Sequence, residues 1–167
     1  MHGLVWDPES LERAAGRPGI EPQKENHRLP GAFSRWTAWK QCMTNPFDGL
    51  TALVVEDDGL VREDIAEFFR RQGWSVFETA IGAGALQMMR EANRLHLLFT
   101  DINLADAVTG WDVADAGRVS HPDLAVIYAS GGPKDHARLV PRSIFLCKPV
   151  SPDDIMSACS RLRPIAR

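Results

Sequence analysis

Between residues 50 and 163 the chain alternates two hydrophobic periods. TALVVED (51–57) is a continuous apolar run that ends in acids. GLVREDIAEFFRRQG (59–73) then spaces Val61, Ile65, Phe68 and Phe69 at helical intervals, with Asp58 placed to cap the start and Gly73 to stop it. The alternation repeats: WSVFETA (74–80) reads as a strand, GAGALQMMREAN (82–93) as a helix with Leu86 and Met89 inward, and LHLLFTD (95–101) as a strand. GWDVADAGRVS (110–120) predicts a helix stopped at His121-Pro122, LAVIYAS (124–130) a strand, and SIFLCK (143–148) the last strand. SPDDIMSACSRLR (151–163) closes as a helix. Ser151 caps it, Pro152 takes its first position, and Asp153 and Asp154 favour its positive end. Ile155, Cys159 and Leu162 form its apolar stripe. Strands that are apolar throughout, each followed by a helix, belong in a parallel sheet covered on both faces.

Residues 1–48 lack this order. They hold five of the eleven prolines, and no hydrophobic period lasts. Short helical pieces fit around PESLERAAG and FSRWTAWKQCM, but the stretch is expected to be largely disordered. Three of the five tryptophans (Trp6, Trp36, Trp39) lie here, which would suit a partner-docking tail. The preferred alternative makes Met43 the natural start. The expected organisation is an N-terminal extension over 1–48 and a folded domain over 49–165.

Composition narrows the function. Hydrophobic residues make up 44% of the chain, enough for a sizeable core, and the formal net charge is −3. A chain without a positive field is not expected to hold nucleic acid by bulk electrostatics. Cys42, Cys147 and Cys159 form no CxxC pair and no even-numbered framework, which suits reduced thiols in a cytoplasmic protein. No apolar run approaches the roughly 18 residues of a membrane span, and no signal-peptide core is present.

In an open parallel sheet, chemistry sits at the carboxyl ends of the strands. The first strand ends in Glu56 and Asp57, the third in Asp101, the fourth in Ser130 and the fifth at Lys148-Pro149. Three carboxylates brought to one edge repel one another, and a hard divalent cation with oxygen ligands offsets them. Mg²⁺ accepts one or two carboxylates while keeping waters and a phosphate oxygen. Lys148 adds a flexible positive donor, and Ser130 a hydroxyl. The set suits an incoming phosphoryl group attacked in line by a carboxylate. Alone, each residue has an ordinary explanation. Glu56-Asp57-Asp58 would be a solvated capping turn, Asp101 a loop cap, Ser130 turn chemistry and Lys148 a strand end. It is their order at successive strand tips that favours the site.

These blocks resemble the receiver domain of two-component response regulators, from about Leu50 to Leu162. The carriers are LVVEDD (53–58), LLFTDINL (97–104), Gly110 in TGWDVA, VIYASG (126–131) and FLCKPV (145–150). The resemblance implies an α/β fold, a doubly wound five-stranded parallel sheet in 2-1-3-4-5 order. It implies that Asp101 accepts a phosphoryl group from a bacterial histidine kinase or phosphotransfer protein. Asp57 and Asp101 would bind Mg²⁺ directly, Glu56 through water, and Asn103 through its backbone carbonyl. Lys148 would hold a phosphoryl oxygen, Ser130 would move in to bond the group, and Phe145 would swing inward with it. Activity would be confined to self-phosphorylation and autodephosphorylation, and the Lys148-Pro149 bond is often cis in such domains.

The sequence also departs from the pattern. Segment 131–142 is short, with Gly131, Gly132, Pro133 and Pro141, so a fourth helix there is expected to be short or partly unwound. The switch position is Phe145 rather than tyrosine, and Ala105 stands where a proline often follows. Output is expected through contacts with an unnamed downstream protein, since no output domain follows Arg167; a homodimer stays open. Two other readings remain: a receiver-like binding module that is not phosphorylated, and a phosphatase of the haloacid dehalogenase type. The latter needs a second aspartate where this chain has Asn103.

Overall fold

The computed structural model describes residues 47–132 and 138–164. The helical pieces expected within 1–46 and residues 133–137 of the expected fourth helix lie outside the described residues. The elements are β1 (Thr51–Val55), α1 (Gly59–Arg71), β2 (Ser75–Thr79), α2 (Gly82–Glu91), β3 (Leu97–Asp101), α3 (Gly110–Ser120), β4 (Ala125–Ser130), β5 (Ser143–Cys147) and α4 (Pro152–Leu162). All four strand pairings are parallel, and the order is β2-β1-β3-β4-β5. The chain steps outward from β1 to β2, then back across β1 to β3. The strand order therefore reverses between β1 and β3, and a crevice opens at their carboxyl ends.

Alternation along the inner strands divides the core in two. Ala52, Val54, Leu97, Phe99 and Ile127 point to one face, where Ile65 and Phe69 of α1 and Ile155 and Cys159 of α4 cover them. Leu53, Val55, Leu98, Val126 and Tyr128 point to the other, under Ala85 and Met89 of α2 and Trp111, Val113 and Ala114 of α3. The expectation of strands apolar on both faces holds for β3 and β4, which are buried throughout, and for β1 after Thr51. The edge strands β2 and β5 are only partly covered, and Phe77 is 47% exposed.

The helix ends follow the sequence. Asp58 accepts from the backbone N–H groups of Leu60 and Val61 at 2.9 and 3.2 Å. Gly73 takes the left-handed φ of 85° that a helix stop needs and that side chains resist. Thr109 with Asp112 and Ser151 with Asp154 form capping boxes. The inward stripes differ in detail. Val61 is exposed, because it lies in the first turn of α1 at the carboxyl edge of the sheet, and Ile65, Ala66 and Phe69 are the buried residues. On α2 the smaller Ala85 faces the sheet beside Met89, which turns Leu86 to the half-buried flank. No helix among the described residues is long and apolar enough to cross a membrane.

Phe47, the first described residue, packs on the core. Its ring stacks on Trp74 at a centroid distance of 5.4 Å, and its carbonyl accepts from Leu50 N–H at 3.1 Å. Trp74 in turn meets Phe69 edge-on, so Phe47 closes one end of an aromatic stack that reaches Phe99. Phe47→Ala is expected to lower unfolding stability by about 2 kcal/mol, whereas Leu60→Ala, at a site 82% exposed, should change it by less than about 0.5 kcal/mol. Urea titration checks both.

At the amino end of the sheet, buried His96 accepts the Thr51 backbone N–H on Nδ1 at 2.9 Å. Burial, and then the charge of Arg94, hold its pKa below the ordinary 6.5. The bond from Thr51 also requires a lone pair on Nδ1. A histidine with a depressed folded-state pKa gives stability that is fully present above 6.5 and lost as pH falls from there through the folded-state value. His96→Asn keeps an acceptor without the titration. Its urea midpoint should therefore fall less than that of wild type between about pH 7 and 5; equal slopes would show that His96 does not carry the loss.

Candidate functional site

β1 delivers Glu56 and Asp57 to the crevice. The backbone N–H of Glu56 bonds Thr79 O at 3.2 Å, and its carbonyl accepts from the Arg62 guanidinium at 2.8 Å. These bonds turn its carboxylate inward, where the residue is 1% exposed, while Asp57 is exposed and accepts from Asp58 N–H at 3.1 Å. β3 delivers Asp101, which is 7% exposed. Beyond it the chain loops back, closed by Gly110 N–H on Ile102 O at 3.0 Å. A Cβ at Gly110 would stand 2.0 Å from Asp101 O. Only glycine lets α3 begin against the backbone of this aspartate.

Lys148 arrives from the far side of the sheet. Its backbone N–H bonds Ser130 O at 3.0 Å, and the Lys148-Pro149 peptide is cis. Its Nζ donates to Asp101 Oδ2 at 2.5 Å and to Glu56 Oε1 at 2.8 Å. Glu56 Oε2 lies 2.7 Å from the same nitrogen, but off the direction of a hydrogen bond, and it is buried with no other partner. The remaining oxygen of Asp101 accepts from Asn103 N–H at 3.0 Å. Burial raises the pKa of Glu56; Lys148 partly offsets this, and Asp101 and Asp57 add to the rise. For Lys148, burial opposes the charge, but the bonds to Asp101 and Glu56 outweigh it and the pKa is raised.

Carboxylate oxygens of Glu56, Asp57 and Asp101 lie within 4.8 Å of one another. A donor set made of oxygen alone, with one buried oxygen lacking a hydrogen bond, fits a hard divalent cation such as Mg²⁺. The sequence-selected residues Glu56, Asp57, Asp101 and Lys148 thus meet, with the Asn103 backbone bonded to Asp101. Ser130 is 3% exposed at the tip of β4, and its hydroxyl accepts from Gly132 N–H at 3.1 Å. Phe145 is not in the acidic cluster. It is half-buried on β5 opposite Tyr128, packed on the core layer that holds Trp111. The Tyr128 ring lies tilted at 45° against Trp111 with centroids 4.4 Å apart, and burial pushes its phenol pKa up to about 12.

Sequence reasoning missed Arg62, which holds the Glu56 carbonyl, and Asp106, which ties the loop after Asp101 to α2. An arginine on the solvated flank of the first helix and an aspartate in an irregular loop have no periodic signal. Only the bonds they make distinguish them.

The chain matches the family described as the response regulator receiver domain over residues 52–160. It is 32% identical over 106 residues to Sensor kinase CckA of Brucella abortus (strain 2308), a match covering 60% of this chain and 11% of that protein. Among solved structures it is similar to a response regulator receiver protein from Sinorhizobium medicae WSM419, with 25% identity and a TM-score of 0.62, over 68% of this chain and 93% of that one. The receiver domain from the hybrid histidine kinase CckA is 26% identical with a TM-score of 0.59, over 67% of this chain and 97% of that one. The family match spans all five strands after Thr51 and every site residue from Glu56 to Lys148: the chain belongs to the response regulator receiver domains of two-component systems.

Proposed function

We propose that Asp101 is the phosphoacceptor of this receiver and takes its phosphoryl group from a histidine kinase or phosphotransfer protein. The observation that carries the reading is the Lys148 ammonium shared between Asp101 and Glu56 inside a cluster of three carboxylates. A carboxylate oxygen of Asp101 attacks phosphorus, the new P–O bond forms as the P–N bond of phosphohistidine breaks, and the imidazole leaves with a proton. Lys148 passes from Asp101 Oδ2 to an oxygen of the incoming group, so the attacking oxygen is released as the new charge arrives. Asp57, Asp101 and the Asn103 carbonyl would hold Mg²⁺, with Glu56 assisting through water. When bound, the ion neutralises negative charge on the phosphoryl oxygens.

Ser130 follows by leaving Gly132 to bond the phosphoryl group, and Phe145 turns inward beside it. Output then passes to a downstream protein through the β4–β5 side of the domain. Residues 49–165 carry this function, and 1–48 form an extension to it. Asn103 stands where an aspartate-nucleophile phosphatase needs its acid, so hydrolysis is confined to the domain's own phosphoaspartate.

A small phosphodonor with Mg²⁺ should modify wild type, while Asp101→Asn should give no shifted band on phosphate-affinity gels. Equal modification of both proteins would remove Asp101 from this role. Asp57→Ala is expected to weaken Mg²⁺ binding by about tenfold, or about 1.4 kcal/mol. Trp111, buried just beyond the loop from Asp101, provides a fluorescence signal for the titration, and an unchanged curve would exclude Asp57 as a ligand.

A further inference from the structure

The loop between β3 and α3 is fixed at both ends. At its base, Gly110 seats against Asp101. At its tip, Asp106 crosses to the start of α2: Oδ1 accepts from Gly82 N–H at 3.0 Å and Oδ2 from Ala83 N–H at 2.9 Å. The residue that precedes α2, Ile81, supplies no side-chain cap. Asp106 therefore caps this helix from another part of the chain, and these backbone bonds hold its carboxyl below the usual range. Val108 reinforces the contact. A Cβ at Gly82 would meet Val108 O at 2.4 Å, so loop and helix touch through backbone.

The clamp joins the two halves of the acidic site. Asn103 lies three residues before Asp106. On the other side, Gly82 lies three residues after Thr79, whose carbonyl accepts from Glu56 N–H. The path from Asn103 through Asp106, Gly82 and Thr79 to Glu56 crosses the crevice without using Asp101 or Lys148. With Asp106 removed, two N–H donors at the start of α2 turn to water, and the loop keeps only its base, the Asn103–Asp101 bond and the Val108 contact.

We propose that Asp106 is a positioning residue that sets the Asn103 carbonyl against Glu56 and Asp57 and so fixes the affinity of the site for Mg²⁺. This rests on the phosphoacceptor reading, because it assigns Asp106 to the metal-binding step of that reaction. It separates affinity from rate. Mg²⁺ binding to Asp106→Ala should weaken by about tenfold, as for groups that orient metal ligands, while phosphorylation at saturating Mg²⁺ stays close to wild type. Asp106→Asn keeps an acceptor for one of the two helix N–H groups and should restore part of the affinity.

The experiment is a Mg²⁺ titration of wild type, Asp106→Ala and Asp106→Asn, followed by Trp111 fluorescence and by calorimetry. Amide exchange of Gly82, Ala83 and Asn103 is measured on the same proteins. Expected in Asp106→Ala are faster exchange at all three amides and the weakened Mg²⁺ curve, both reversed in part by asparagine, which keeps one of the two acceptor oxygens. Wild-type Mg²⁺ affinity in Asp106→Ala overturns the proposal and leaves the phosphoacceptor reading intact. So does a loss in Asp106→Ala that asparagine does not restore even in part. If wild type takes no Mg²⁺, the phosphoacceptor reading fails and the proposal falls with it. If Asp106→Ala unfolds, the titration of Asp106→Asn decides alone: affinity within about threefold of wild type, with slow Asn103 exchange, supports the clamp, and a larger loss overturns it.

Discussion

One ammonium holds the crevice together. Glu56 and Asp101 are both buried, with carboxylate oxygens within 4.8 Å of each other and of Asp57. At an effective dielectric near 20, two such charges oppose each other by about 3 kcal/mol, a large share of a domain's net stability of about 5–15 kcal/mol. Backbone N–H groups relieve only part of this. Asp101 has one, from Asn103, and Glu56 depends on Lys148. Lys148 reaches both acids at once because β5 lies beyond β4 and its chain turns back over the edge after Cys147. The fold can assemble two buried acids at one edge because the last strand delivers their counter-charge.

That arrangement depends on the reversal of strand order. β1 and β3 are neighbours although a whole βα unit separates them in the chain, so the tips carrying Glu56 and Asp101 lie side by side. Helices on both faces bury the inner strands, and burial gives the acids and lysine a low-dielectric setting. The same burial acts in opposite directions on the two partners: it raises Glu56 and resists the charge on Lys148. Each favours the charged form of the other, which makes the pair sensitive to any new charge placed between them. A phosphoryl group is such a charge.

Much of this was legible in the sequence because it is local. Four of the five apolar runs end in Asp57, Asp101, Ser130 and Lys148, and parallel pairing places those tips on one edge. The caps at Asp58 and Ser151 obey short-range rules. What escaped depends on partners far along the chain. Val61 and Leu86 have helical spacing, yet the phase of each stripe is set by what the sheet presents beneath it. Phe47 lies in a stretch without a period and is recruited by Trp74. His96 reads as part of a strand, until Thr51 supplies the N–H that it must accept. Asp106 gains its place from α2; Arg62, only six residues from Glu56, escaped because no periodic signal marks its bond to that carbonyl.

The site is also held unevenly. On the β1–β3 side, backbone bonds dominate: Glu56 to Thr79, Gly110 to Ile102, and the two N–H groups on Asp106. On the β4–β5 side, surface side chains do more of the holding. Arg138 lies over the Trp111 ring at 5.5 Å and pairs with Asp112 at 3.3 Å, both at exposed positions. Exposed contacts of this kind contribute about 1 kcal/mol or less each. Ser130 sits at the junction, with its hydroxyl taken by Gly132. A group arriving on Asp101 that draws this hydroxyl away must first break that bond. Its release would be felt first at Gly131 and Gly132 rather than in the backbone-clamped half. The direction in which this receiver can change shape thus follows from which of its contacts are cheapest to lose.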